Sequence, residues 1–268
     1  MSEYLHGYVQ TEYERLLHQA RFLEQEVYPF IDLTHCSHLL EMGCGVGAQT
    51  RILLERFPRL HITAIDRSAE ELEVARQQLP QDLQHRVRFV QADLLHFQSE
   101  EKADAAFCCW MLEHAAEPAA ILRNIRRNLK PEAHIFLTEV ENSSLTVAPQ
   151  SAALDAYWEG YNRLQLHLHG WPFIGQELEQ LLQSAGFENI QVLPHPMHYG
   201  HHNTERLKDF CAYWWRLINS ASEPLLKGGY INEEQHRLSR EHLLNLHLQP
   251  DASFRYTFVQ AKARSGNK

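Results

Sequence analysis

The chain has 268 residues, 44% of them hydrophobic and 22% charged, so it can bury a core without disulfide or metal support. Its 25 basic and 34 acidic side chains give a formal charge of −9, which disfavours a nucleic-acid partner. No apolar run reaches the length of a membrane span, the N-terminus has no leader pattern, and five cysteines without a CxxC pair suit a reducing cytoplasm.

Residues 1–32 read as an amphipathic helix or pair of helices. Leu39–Glu41 ends a strand that runs into a glycine turn, and Gln49–Phe57 is a helix. His61–Asp66 is the second strand. Ser68 is an N-cap, with Glu71 three residues on completing a capping box. That helix runs to Leu79 and is closed by Pro80. Val87–Val90 is a third strand leading to Asp93, and Ala105–Trp110 is a fourth. Ala119–Leu129 is a helix and His134–Val140 a fifth strand. Such alternation predicts a parallel sheet covered on both faces. Gly175–Gly186 is a helix with Gly186 just past its end. Asn189–Leu193 and Phe254–Ala263 are strands, with helices over Thr204–Ser220 and Asn232–Leu246 between them. Segments 142–171 and 194–253 fall outside the alternation. They are expected to be helical cap insertions in a single domain spanning 1–268. Ligands of open α/β sheets bind beyond the carboxyl ends of the strands, so insertions after strands five and six are expected to roof that edge.

The main chemical signal is Glu41-Met-Gly43-Cys44-Gly45-Val-Gly47 between a strand and a helix. Glycine allows a tight turn and close backbone approach, and the helix start aims free N–H groups at a polar ligand. Gly43-x-Gly45-x-x-Ala48 also fits a dinucleotide fingerprint, which leaves a nicotinamide oxidoreductase as an alternative. Glu41, however, would repel a pyrophosphate. Asp66, at the end of the second strand, can accept both hydroxyls of a ribose. Asp93, past the third, can accept from an adenine amino group. Three acids at three strand ends, with no basic residue in the turn, suit a positively charged nucleoside.

With these residues in view, the stretch from Leu39 to Val140 resembles the class I S-adenosylmethionine-dependent methyltransferases of small molecules. Glu41-x-Gly43-x-Gly45-x-Gly47 is similar to their first motif, and Ala92-Asp93-Leu94 to their adenine-binding motif. Asp104 to His114 is similar to their fourth-strand motif, and Leu129-Lys130-Pro131 to the end of the next helix. Glu14-Arg15-Leu16 and Gln19-Ala20 resemble a lid helix. The sequence departs from the family at Pro131-Glu132-Ala133, where many relatives have Pro-Gly-Gly. The resemblance implies a Rossmann-like, doubly wound α/β fold: a seven-stranded, mostly parallel sheet with helical caps and an N-terminal lid. It implies S-adenosylmethionine as cofactor. The backbone of Gly43, Cys44 and Gly45 would face its methionyl part, with Glu41 and Gly47 also in the cofactor-binding set. Asp66 would hold the ribose and Arg67 flank the adenine, whose edge Asp93 and Leu94 would hold. Cys109 or Trp110 would line the floor near the sulfonium, and Tyr4, Tyr8 and Gln19 would close from the lid.

Methyl transfer from a sulfonium mainly requires alignment and exclusion of water, so the sequence dictates no catalytic base. His114, Glu141, Tyr161 and His198 are candidates. Tyr8, Tyr157, Tyr161 and Tyr199 are candidate substrate contacts. A non-methyl use of the cofactor, such as cyclisation releasing methylthioadenosine, is the competing reaction. His195-Pro-Met-His198-Tyr-Gly-His201-His202 has no acid or cysteine among its imidazoles. It reads as an irregular polar loop rather than a metal site. The expected partner is a small molecule, without membrane or nucleic acid, and a homodimer is the candidate assembly.

Overall fold

Seven strands form one sheet in the computed structural model, which describes residues 10–266. They are β1 (His38–Met42), β2 (His61–Asp66), β3 (Val87–Gln91), β4 (Ala103–Cys109), β5 (Leu129–Ala148), β6 (Glu188–Gly200) and β7 (Ser253–Arg264). Their spatial order is β3-β2-β1-β4-β5-β7-β6. β3, β2, β1, β4 and β5 run parallel, with Leu40 opposite Thr63 on one side and Ala106 on the other. β7 runs against β5, since Ser265 bonds back to Ala133 while Thr257 bonds to Ser144. The sheet is therefore mostly parallel and reverses direction on either side of β1, the doubly wound pattern. β1 reads Leu-Leu-Glu-Met over its last four positions, all buried. Both faces of such a strand are covered, so it is continuous rather than alternating in apolarity.

The helices are α1 (Gln10–Phe22), α2 (Glu24–Val27), α3 (Ala48–Arg56), α4 (Ala69–Gln78), α5 (Gln81–Gln84), α6 (Pro118–Arg127), α7 (Ala152–His167), α8 (Leu178–Ser184), α9 (Thr204–Asn219), α10 (Ser222–Lys227) and α11 (Glu233–Asn245). Ser68 caps α4 by accepting from the Glu71 N–H at 3.2 Å. The capping box expected there is not closed in the usual way, because the Ser68 N–H goes to Asp66 Oδ1 at 2.9 Å instead. A full box forms at α11, where Asn232 and Gln235 exchange side-chain bonds to each other's backbone.

Two expectations need correction. The segment after Val140 does not turn helical at once. β5 continues through Ala148 because Ser144 Oγ bonds both the N–H and the carbonyl of Thr257 on β7. The histidine-rich stretch is not an irregular loop, since His195 to Gly200 completes β6. β6 lies at the sheet edge, where one side of the strand has no partner strand and prolines such as Pro194 and Pro196 are tolerated.

The chain divides into two compact units. One comprises Leu16–Glu139, Ile174–Pro194 and the chain from Val259 on, and contains β1 to β4 with α3 to α6 and α8. The other comprises Val140–Phe173 and His195–Phe258 with residues 10–15, and contains α7, α9, α10 and α11. In this second unit Trp214 is ringed by Trp158, Phe254 and Tyr256 at centroid distances of 5.5, 5.1 and 4.6 Å. Asn142 ties the polar edge of that cluster: its carbonyl accepts from Trp158 Nε1, and its side chain bonds Asn162 and Tyr256. Trp214 and Trp215 point to different neighbours, Trp215 packing on Tyr157 and His236, as adjacent helical positions must.

Candidate functional site

The site candidates of the first unit gather where β1, β2 and β4 end. β1 delivers Glu41, 2% exposed, whose Oε2 accepts from Thr50 Oγ1 on α3 at 2.7 Å. Burial pushes its carboxyl up to about 8, against the pull of the Thr50 bond. Glu41 thus braces the strand to the helix across the turn. Gly43, Gly45 and Gly47 all have left-handed backbones, at φ +65°, +51° and +75°. Residues with a Cβ are strained there. A Cβ on Gly43 would lie 2.3 Å from Met111 Cγ, whereas one on Gly45 would meet nothing closer than Glu71 Oε1 at 3.9 Å. The turn is thus closed by protein at Gly43 and open at Gly45.

Asp66 ends β2 and joins two backbone segments. Its Oδ2 accepts the Gly45 N–H and its Oδ1 the Ser68 N–H, each at 2.9 Å. A carboxylate has about four acceptor directions, so each oxygen keeps one for a ligand hydroxyl. Arg67 is exposed beside it. Asp93 is exposed beyond β3 and shapes its own loop by accepting the Leu95 N–H at 2.9 Å, while Leu94 is buried.

β4 ends at Cys109, half-buried, with Gln49 Nε2 3.6 Å from its sulfur. Gln49 in turn accepts from the Tyr28 hydroxyl at 2.7 Å. Burial pushes the thiols of Cys44 and Cys109 well above their usual range, which favours the protonated form of both. Trp110 follows with a left-handed φ of +52°, rare for a bulky residue. Its N–H donates to the Thr138 carbonyl at 2.8 Å. His114 is half-buried, 3.7 Å from the buried Glu113 carboxylate. Gln19 is buried on α1. Tyr4 and Tyr8 lie outside the described residues.

The remaining candidates belong to the second unit. Glu141 accepts from the backbone and hydroxyl of Ser143. Tyr161 is buried and stacks on Trp158 at 5.1 Å. Tyr199 packs on Phe210 at 4.3 Å, and His198 is exposed near His202. Tyr157 is fully buried and its hydroxyl donates to the Ile218 carbonyl at 3.1 Å, which makes it a core residue of this unit. Tyr157→Phe is expected to cost about 1 kcal/mol of stability by removing that hydrogen bond, read as a lower urea midpoint. An unchanged midpoint would contradict this role. Among the described residues, no three His, Cys, Asp or Glu side chains are grouped to hold a metal ion. No described helix is long and apolar enough to cross a membrane.

Sequence reasoning missed Glu139, Thr50, Gln49 and Met111. Glu139 was legible as an acid within the apolar run Ile135–Val140, a position where a carboxylate must find donors. Burial pushes its carboxyl up to about 7 although three backbone N–H groups pull it down.

Residues 40–137 match the family model described as a methyltransferase domain. Trans-aconitate 2-methyltransferase of Azoarcus sp. (strain BH72) is 33% identical over 173 residues, covering 58% of this chain and 66% of that protein. The enzyme of the same name from Enterobacter sp. (strain 638) is 33% identical over 123 residues, 46% of this chain and 45% of its own length. The chain thus spans between under half and about two thirds of the length of these relatives. Among solved structures, phosphoethanolamine N-methyltransferase 2 of Haemonchus contortus, with S-adenosyl-L-methionine bound, superposes at a TM-score of 0.56 with 16% identity. That match covers 93% of this chain and 53% of the other, and it shows the fold alone.

Proposed function

We propose that this chain, which belongs to the class I S-adenosylmethionine-dependent methyltransferases, transfers the methyl group of S-adenosylmethionine to a small-molecule acceptor. One observation carries the reading: the Asp66 carboxylate ties the glycine turn to the start of α4 and keeps an acceptor direction on each oxygen. The residues fit the cofactor. Gly45 is left-handed and open on the side where a Cβ would stand, so a ligand can approach its backbone. Asp66 at this turn is an acid and residues 41–47 carry no basic side chain, which suits a cationic nucleoside better than a pyrophosphate.

Asp66 would take the ribose hydroxyls, Arg67 would flank the adenine, and Asp93 with Leu94 would hold its edge. Gly43, Cys44, Gly45 and Gly47 would face the methionyl part, with Glu41 setting the turn from behind. Cys109 and Trp110 would form the floor, and Gln19 would close from the N-terminal helix, with Tyr4 and Tyr8, outside the described residues, as further proposed contacts. The cofactor supplies a methyl group on a sulfonium, an activated donor with a neutral leaving group. The protein's task is then to align the acceptor and keep water out. For a hydroxyl acceptor, His114 would take the proton, with Glu113 beside it. Tyr161, Tyr199, His198 and Glu141, in the unit of α7, α9 and α11, are the candidate acceptor contacts. Its segments fall outside the matched stretch 40–137. A cytoplasmic location, no nucleic-acid partner and a homodimeric assembly complete the reading. The acidic balance and five unpaired cysteines support the first two.

Calorimetric titration with S-adenosylmethionine, followed by mass analysis without added acceptor, tests the proposal. Micromolar binding with the cofactor left intact is expected, and no heat with NAD. Absence of binding would sink the reading, and release of methylthioadenosine would replace it with the non-methyl reaction.

A further inference from the structure

The segment from Trp110 to His114 leaves β4 at the strand-end edge and is held by one side chain of the neighbouring strand. Glu139 stands on β5, 0% exposed. Its Oε1 accepts the Leu112 N–H at 2.8 Å and the Met111 N–H at 3.2 Å, and its Oε2 accepts the Glu113 N–H at 3.3 Å. The Cys108 thiol lies 3.5 Å from Oε1. Consecutive N–H groups converging on one carboxylate form the same nest that backbone turns build for free anions. Here the acceptor belongs to the protein.

The register explains why residue 139 does this. Cys109 pairs with Thr138, and the Trp110 N–H still bonds the Thr138 carbonyl. One position further along β5, the backbone ladder has ended and a side chain takes its place. The segment is therefore pinned at Trp110 by backbone and at Met111, Leu112 and Glu113 by Glu139. Two features of the cofactor site hang on that pin. Trp110 is held left-handed, a state that persists only where its surroundings enforce it. The Met111 side chain occupies the space a Cβ would need at Gly43, so the same segment closes one side of the glycine turn.

We propose that Glu139 is a positioning residue that fixes the 110–114 segment, and through Trp110 and Met111 presets the cofactor-binding geometry before the cofactor arrives. The second half of this statement rests on the methyltransferase reading. No contact between Glu139 and a ligand is needed. An apolar residue at 139 would deprive three N–H groups of this acceptor, two of them on the buried Leu112 and Glu113, a loss that backbone donors avoid by moving. Among the described residues, the sheet does not need this carboxylate for pairing, since β4 and β5 pair through their backbones from Ala103 to Thr138.

The test uses the full chain with Glu139→Ala and Glu139→Gln. Amide hydrogen exchange is read in the free protein, and S-adenosylhomocysteine affinity by calorimetry. In Glu139→Ala, exchange across 110–114 is expected to accelerate while β1 and β2 stay protected. Affinity is expected to fall on the order of tenfold or more. Glu139→Gln keeps an oxygen for Leu112 and Met111 but turns an amide donor toward Glu113. It is expected to speed exchange at Glu113 alone and to keep affinity within a few-fold of wild type. A merely structural role would loosen β1, β2 and the segment together and give no such split. Protection of 110–114 in Glu139→Ala equal to wild type overturns the proposal, as does loosening of the segment with unchanged affinity. Should Glu139→Ala fail to fold, Glu139→Gln decides: unchanged exchange at Glu113 overturns the inference. If wild-type protein binds neither S-adenosylmethionine nor S-adenosylhomocysteine, the methyltransferase reading fails. The exchange measurement then still decides whether Glu139 fixes the segment.

Discussion

Asp66→Ala is expected to weaken S-adenosylmethionine binding by roughly 100-fold or more, the largest loss from any single side chain of the site. Two effects add. The first is the loss of the group proposed to accept the ribose hydroxyls, and hydrogen bonds to a charged partner contribute about 1.5–3 kcal/mol each. The second is internal. The carboxylate holds the Gly45 N–H and the Ser68 N–H, 21 and 2 residues away, at 2.9 Å. Without it the turn at Gly45 and the entry to α4 lose their common anchor, and the turn must be ordered at the cost of binding energy. Asp66→Asn separates the two contributions. Its single carbonyl oxygen can keep one backbone bond, but its amide turns donors toward the other N–H. Its binding is expected to fall between wild type and alanine, with the thermal midpoint lowered in both variants. Wild-type affinity in Asp66→Ala, measured by calorimetry, would remove Asp66 from the site and with it the observation on which the proposed function stands.

The parts of this site that could be read from sequence are those made by local rules. A glycine turn between a strand and a helix announces itself because only glycine tolerates three left-handed positions in five residues. Ser68 was readable as a cap because its hydroxyl reaches only three residues ahead. Acids at the ends of β2 and β3 stood out at the close of short apolar runs. What sequence did not reveal depends on distant partners. β5 stays extended through Ser143 and Ser144 because Thr257, 113 residues on, accepts and donates there. Nothing in Glu-Asn-Ser-Ser favours a strand by itself. His195 to Gly200 likewise is a strand by virtue of its place at a sheet edge, which excuses Pro196. Glu139 escaped for a related reason. An acid two positions from Glu141 in one strand could be placed on the right face only once the β4–β5 register was known. Tyr157 shows the opposite error: an aromatic in an insertion reads as a ligand contact until its hydroxyl is seen bonded inside the core.

Gly43→Ala is expected to have the second largest effect, and to act on stability and binding together. The methyl group would have to enter a left-handed position at φ +65°, which costs about 1–2 kcal/mol for an L-residue. It would also stand 2.3 Å from Met111 Cγ and 3.1 Å from Met111 Cβ. Those are the inner atoms of the side chain, so swinging its flexible end away does not relieve the contact. Met111 must shift at its root, which strains the N–H that Glu139 holds at 3.2 Å. Overpacking of this kind adds roughly 1–3 kcal/mol. Gly45→Ala is the control, since it carries similar strain at φ +51° but meets only Glu71 Oε1 at 3.9 Å. Gly45→Ala should lower the urea midpoint less than Gly43→Ala, yet still weaken cofactor binding, because its methyl projects into the open side of the turn. The double variant Gly43→Ala/Met111→Ala removes the 2.3 Å contact with Cγ, and keeps the 3.1 Å contact with Cβ and the backbone strain. Its stability should exceed the sum of the two single losses subtracted from wild type, a coupling of about 1 kcal/mol or more between residues in contact. Strict additivity in that cycle would mean that Met111 does not close the turn, and that the link from Glu139 through Met111 to Gly43 is broken at its last step.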